Sequence, residues 1–171
     1  MSFLRVDMGP MCHIPAGHPN GALYLGNIPN AMEIGKKLNI RFVAILNCTD
    51  DPELDPLNSL PGFNVKRLDQ WDGEEYPPEK IKDGIKFIED HMKTSSMVLV
   101  CCHAGISRSA GMVLAYLMSK KYDYNEAVRI IRKARPFIQI HPRIDLSVRK
   151  YFGLAPRTVA DLIPGRSSAG Y

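Results

Sequence analysis

Val98-Leu99-Val100-Cys101-Cys102-His103-Ala104-Gly105-Ile106-Ser107-Arg108-Ser109 runs straight into a second apolar stretch, Ala110-Gly111-Met112-Val113-Leu114. The first apolar run is short, aliphatic and β-branched, so it reads as a buried strand that ends at the cysteines. The second reads as a helix opening at Arg108 and Ser109. A tight turn leading into a helix N-terminus points several unpaired backbone N–H groups at one spot, and such a concavity favours an anion. A cysteine at its mouth is favoured as the thiolate, which is the reactive form. Arg108 adds a planar fork matched to two oxygens of one phosphate, where a lysine would offer a point charge. Gly105 permits either close backbone approach or a positive φ. Cys102 and Arg108 therefore read as a thiol and a guanidinium around a phosphate cradle formed by His103, Ala104, Gly105, Ile106, Ser107 and Arg108. A cysteine and an arginine at this spacing arise often by chance; the strand before and the apolar helix after give the match its weight.

Working outward, 171 residues suffice to bury a substantial core. A hydrophobic share of 45% and a charged share of 23% fit a soluble globular chain. The net charge of +4 suits a protein that handles anionic phosphoesters but is too small to argue for nucleic acid. Cys12, Cys48, Cys101 and Cys102 follow neither a secreted disulfide framework nor paired zinc spacing. No stretch is long enough to span a membrane, and the first residues lack an apolar signal core. These features predict a reducing, cytoplasmic setting, with nuclear entry open, and no membrane or nucleic-acid partner.

The remaining pattern alternates strands and helices. Leu23–Leu25 predicts a strand, and Pro29-Asn30 a helix start with Asn30 as cap and Met32, Ile34 and Leu38 on its apolar side. Residues 41–46 predict a buried strand, residues 50–61 with three prolines a loop, and residues 63–67 an imperfect strand. After Pro77-Pro78, Ile81, Ile85, Ile88 and Met92 recur at helical spacing and leave Lys82, Lys86 and Glu89 toward water. The helix from Ser109 to about Lys120 is apolar nearly all round, which places it inside and makes it a rigid anchor for the cradle. Asp123 or Asn125 caps a further helix through Ala134 with Arg129, Arg132 and Lys133 on a basic face, and a last helix covers about 142–152. The expectation is an α/β fold: a mainly parallel sheet flanked by helices, with the cradle at a strand's C-terminal end. Residues 1–153 form one catalytic domain in this reading, and 154–171, small and polar, a mobile tail.

Ala22-Leu23-Tyr24-Leu25-Gly26-Asn27, Val43-Ala44-Ile45-Leu46-Asn47, the cradle itself and Ala115-Tyr116-Leu117-Met118 together resemble the cysteine-dependent protein phosphatases, and within them the small dual-specificity phosphatases. The resemblance covers roughly residues 21–152. It implies hydrolysis of phosphate monoesters on phosphotyrosine and phosphoserine or phosphothreonine proteins, through a cysteinyl phosphate on Cys102 and without metal or cofactor. It implies that Ser109 donates a hydrogen bond to the sulfur, its simpler role being a helix cap, and that Asn47 braces the loop. The leaving oxygen needs a proton. The family carries its acid on the segment after the third strand, which here holds Asp69 and Asp72, 33 and 30 residues before Cys102. Asp69 directly follows the strand and is the expected acid. Trp71 and Tyr76 flank that segment and are candidate walls for an aromatic phosphoester.

One departure stands beside the nucleophile, where the family usually has histidine and this chain has Cys101. The simplest reading of Cys101 is a small buried hydrophobe, and of His103 a solvent-facing loop residue. Cys48 is a better disulfide partner for Cys102 than the adjacent Cys101. Two other readings remain open: a phosphate-binding relative without turnover, and a phosphatase for a non-protein ester. The loop has neither the lysines of lipid-directed relatives nor the asparagine before arginine of RNA-directed ones, which argues for phosphoproteins.

Overall fold

Side chains alternate across an extended strand, so a sheet buried on both faces needs apolar residues at every position. Val43–Asn47 is buried throughout, and Met97–Cys102 is buried from its second residue on. In the computed structural model, which describes residues 9–15, 21–36, 43–95 and 97–157, both lie in the middle of one sheet. Its strands are β1 (Cys12–Ile14), β2 (Leu23–Asn27), β3 (Val43–Asn47), β4 (Phe63–Arg67) and β5 (Met97–Cys102), in the order β1-β2-β5-β3-β4. All neighbours run parallel except β1, which pairs antiparallel with β2 at the edge.

Along β5 the alternation sorts side chains between two cores. Val98, Val100 and Cys102 join Leu23, Leu25, Ala44 and Leu46 on the face covered by α2 (Pro78–Thr94), α3 (Arg108–Ser119), α4 (Tyr124–Ala134) and α5 (Pro142–Tyr151). Leu99 and Cys101 join Val43, Ile45 and Val65 on the opposite face, under α1 (Ile28–Gly35) and a 3-10 helix (Pro52–Ser59). This is the expected α/β architecture. Helix α3 packs against α2, α4, α5 and β5, and every residue from Arg108 to Leu117 is buried. The apolar periphery read from its sequence has this cause. The register places Asn27 opposite Cys102 and Asn47 opposite Cys101, so β2, β5 and β3 end together and their following loops meet.

Several expectations need correction. Helix α1 is capped by Asn27, whose side chain accepts from the Asn30 N–H at 2.8 Å while Asn30 Oδ1 accepts from the Asn27 N–H at 3.0 Å. The pair is reciprocal, so Asn30 sits inside the first turn rather than before it. The expected loop at 50–61 contains a 3-10 helix, begun by Asp51 Oδ1 accepting from the Glu53 N–H at 2.8 Å. Proline at N1 and a 3-10 hydrogen-bond pattern make its prolines compatible with a helix. Asp123, not Asn125, caps α4. Glu89 is half-buried against Lys120 rather than free in water. Strand β1 was not anticipated. Leu38, residues 41 and 42, and residues 158–171 of the expected tail lie outside the described residues.

Leu114 is fully buried at the centre of the helical layer. Leu114→Ala is expected to lower unfolding free energy by about 2–5 kcal/mol, seen as a fall in the urea midpoint at unchanged slope.

Candidate active site

The cradle is built by turning carbonyls outward. Arg135, fully buried, donates from Nε to the Gly105 carbonyl at 2.8 Å and from Nη2 to the Ala104 carbonyl at 3.2 Å. The Gln139 N–H donates to the Ile106 carbonyl at 3.1 Å. In a trans peptide the C=O and the next N–H point in opposite directions. Three consecutive tethered carbonyls therefore aim the N–H groups of Gly105, Ile106 and Ser107 at the other side of the loop. Among the described residues, no protein acceptor takes the N–H groups of 103–107. With the start of α3 behind them, they form an anion-binding concavity.

Gly105 shows why the turn requires glycine. Its φ is +67°, and a Cβ there would lie 2.5 Å from the Gly26 carbonyl oxygen and 2.8 Å from Arg135 Nη2. The loop is clamped between the end of β2 and that guanidinium, which continues to the Pro10 carbonyl at 2.8 Å and stacks 4.5 Å over the Phe137 ring. Sequence reading missed Arg135. The signal was present: Ala127 and Ile131 lie four residues apart on the buried face of α4, and Arg135, the C-cap residue four further on, is an arginine where that spacing calls for an apolar residue.

Cys102 ends β5, and its Sγ lies 3.1 Å from Ser109 Oγ. Ser109 is within α3, not at its cap; Ser107 occupies the cap position without capping, and its Oγ accepts from the His141 N–H at 2.9 Å. Arg108 is almost fully buried and its Nη1 donates to the Gln70 carbonyl at 3.0 Å, so the guanidinium is pinned to the 69–72 segment. Tyr76, 2% exposed, donates from its hydroxyl to the Arg108 carbonyl at 2.9 Å. It is a buried strut behind the helix start, not a substrate wall; Trp71, 65% exposed, is the aromatic that faces water.

The two aspartates differ in partners. Asp69 has a positive φ of 54°, its carboxylate lies 3.1 Å from Arg67 Nε, and its carbonyl accepts from Lys80 Nζ at 2.6 Å. The structure thus turns its carboxylate to Arg67. Asp72, also exposed, lies 3.7 Å from Arg108 Nε and so stands at the cradle. Asn47 also differs from its expected role: it donates to the Asp51 carbonyl at 2.9 Å and accepts from the Thr49 N–H and hydroxyl at 3.1 and 2.7 Å. It braces the neighbouring 48–51 turn, which reaches the loop through Asp51, 3.9 Å from half-exposed His103.

All four cysteines are free thiols. Burial pushes the Cys101 thiol up, far above its ordinary value of 9.0, and that of Cys48 likewise, with Tyr76 beside Cys48 opposing. Cys101 is fully buried among Ile45, Leu99 and Ile28, the packing role its sequence context suggests. Cys48 shares the Cys102 face of the sheet. Among the described residues no group of three or more His, Cys, Asp or Glu is placed to hold a metal ion, and no helix is long and apolar enough to cross a membrane.

Residues 23–149 match the family described as "Dual specificity phosphatase, catalytic domain". The chain is 37% identical over 122 residues to "Dual specificity protein phosphatase Mpk3" of Drosophila melanogaster, covering 68% of this chain and 28% of that protein. It is 33% identical over 117 residues to "Putative tyrosine phosphatase 123R" of Invertebrate iridescent virus 6, covering 68% of this chain and 77% of that protein. Among solved structures, human DUSP28 superposes with a TM-score of 0.68 at 22% identity, over 84% of this chain and 93% of that one. PTPMT1 in complex with PI(5)P superposes with a TM-score of 0.64 at 25% identity, over 77% and 90%. A family match over residues 23–149, which hold the thiol, the arginine and the clamped loop between β5 and α3, shows that the chain belongs to the dual-specificity phosphatases. It spans about a quarter of the length of the Drosophila relative.

Two outcomes follow from this geometry. Arg135→Lys keeps the charge but loses the fork that holds two carbonyls, so orthovanadate affinity is expected to fall about tenfold or more, measured by protection of Cys102 from iodoacetamide. The raised thiols of Cys48 and Cys101 stabilise the fold below pH 9, where the unfolded chain keeps them protonated too; above it the unfolded thiols ionise and folded ones do not. Thermal stability is therefore expected to fall as pH rises past 9, and less steeply in Cys101→Ala, by scanning calorimetry across pH 8–10.

Proposed function

We propose that the chain hydrolyses phosphate monoesters on phosphoproteins, phosphotyrosine and phosphoserine or phosphothreonine alike, through a covalent phosphate on Cys102. The observation that carries this reading is the Cys102 thiol, 3.1 Å from Ser109 Oγ, beside a loop whose carbonyls are tethered outward by Arg135 and Gln139. The N–H groups of that loop and the Arg108 guanidinium take the equatorial phosphate oxygens, whose charge is the one to be stabilised in transfer. The thiolate forms the S–P bond as the ester P–O bond breaks, and a carboxylic acid protonates the departing oxygen. Water then attacks phosphorus with the same carboxylate as base, and the thiolate leaves with a hydrogen bond from Ser109. No step calls for a metal or cofactor.

For the acid, the sequence favours Asp69, and the arrangement of the loop favours Asp72, whose carboxylate adjoins Arg108 while Asp69 is bound by Arg67. We assign Asp72. The setting we infer is cytoplasmic, with phosphorylated proteins as partners. A lipid phosphate is the second reading, favoured by the likeness to PTPMT1 in complex with PI(5)P and opposed by a loop without lysine.

The pH dependence of p-nitrophenyl phosphate hydrolysis in EDTA tests the assignment. The wild type is expected to give a bell, Cys102→Ser no activity, and Asp72→Asn a rate about 100-fold lower without the basic limb. Loss of that limb in Asp69→Asn alone would instead show that Asp69 leaves Arg67 to serve as the acid.

A further inference from the structure

We propose that Gln70 is the positioning residue of the acid segment: its side-chain amide closes the neck of the 71–75 turn and so sets where the Asp72 carboxylate stands beside Arg108; this rests on the reading of Asp72 as the acid. Trp71, Asp72 and Glu74 are exposed, yet Gln70, polar and uncharged, is almost fully buried beside them. A buried amide must find partners for its hydrogens. Gln70 Nε2 donates to the Glu74 carbonyl at 3.0 Å and to the Trp71 and Glu75 carbonyls at 3.3 Å each. All three neighbours are acceptors only, so the nitrogen of the amide faces them and the oxygen does not.

The three carbonyls lie on both sides of the tip formed by Asp72 and Gly73, where Gly73 takes a φ of +71°. One amide thus spans the turn from its entry at Trp71 to its exit at Glu74 and Glu75. The flanks of the segment are fixed separately. The Gln70 carbonyl accepts from Arg108 Nη1 at 3.0 Å, and Tyr76 is held by its hydroxyl on the Arg108 carbonyl and by its N–H on Ser147 Oγ at 3.1 Å. Among the described residues, the other polar side-chain contacts of 71–75 are Lys150 Nζ at 3.3 Å from Glu75 and Arg108 Nε at 3.7 Å from Asp72. The first is an exposed pair, which contributes little. The second is the contact to be positioned. Gln70 is therefore the group that gives the acid turn one shape, and its own carbonyl refers that shape to the arginine of the cradle. A methionine in its place has the same length and no donor.

Esters with leaving groups of different basicity test this. Phenoxide needs a proton to depart from phosphorus and 2,4-dinitrophenoxide does not, so a displaced acid slows phenyl phosphate selectively. Gln70→Met is expected to lower kcat/KM about tenfold or more for phenyl phosphate and less than about twofold for 2,4-dinitrophenyl phosphate, with the protection of Cys102 by orthovanadate unchanged. In the Asp72→Asn background the same substitution is expected to cost less than about twofold with phenyl phosphate, because no acid is left to position. Equal loss for both esters, or full additivity with Asp72→Asn, would overturn the proposal and make Gln70 a general structural residue. Time-resolved anisotropy of Trp71, the chain's one tryptophan, reads the turn without turnover. Gln70→Met is expected to enlarge its nanosecond component, and an unchanged decay would overturn the proposal as well. A wild type inert toward both esters would defeat the phosphatase reading, on which the anisotropy does not depend. Phenyl phosphate hydrolysis by Asp72→Asn at the wild-type rate would defeat the acid assignment and the proposal with it.

Discussion

The buried guanidinium of Arg135, at 2.8 and 3.2 Å from the carbonyls of Gly105 and Ala104, fixes the direction of the peptide planes that make this site. A five-residue turn between a strand and a helix has many conformations, and most would scatter its N–H groups. Tying the carbonyls to one buried cation selects the conformation in which they converge. The same guanidinium reaches Pro10 ahead of β1, so the edge strand is connected to the loop through it. Gly105 completes the constraint, because a side chain there would collide with the backbone of β2. The site is thus held by long-range contacts, and the loop is pre-organised before any ligand arrives.

Around that clamp, burial sorts the polar groups by role. Cys101 and Cys102 are adjacent in sequence, yet strand alternation sends the first into an apolar layer and the second toward the helix side, where Ser109 meets it. Tyr76 holds the backbone of Arg108, and the Gln70 carbonyl holds its side chain, so the arginine is fixed from two directions. The 69–72 segment is therefore joined to the cradle through Arg108, which meets the Gln70 carbonyl at 3.0 Å and the Asp72 carboxylate at 3.7 Å.

Much of this was legible in the sequence because the determining signals are local. The apolar run before Cys102 and the all-round apolar helix after Arg108 mark β5 and α3 without ambiguity, and the spacing of Cys102, Gly105 and Arg108 marks the cradle. The remainder depended on contacts that spacing does not reveal. Asn27 and Asn30 are equally good caps, and the reciprocal bond between them decides which is outside the helix. Prolines at 52 and 56 suggested a loop, although Asp51 starts a 3-10 helix there. Strand β1 is three residues long and exists by pairing at an edge. The partners of Asp69, Asp72 and Asn47 are set by the tertiary positions of Arg67, Arg108 and the 48–51 turn.

The central claim is that Cys102 is the atom to which phosphate is transferred. Rapid acid quench of the protein during turnover of a phosphotyrosine peptide, followed by peptide mass spectrometry, tests it directly. The account predicts a phosphate on the fragment containing residue 102, attached to the thiol and lost in Cys102→Ser. Steady release of phosphate with no protein-bound phosphate at any time, or with the label on another residue, would contradict it.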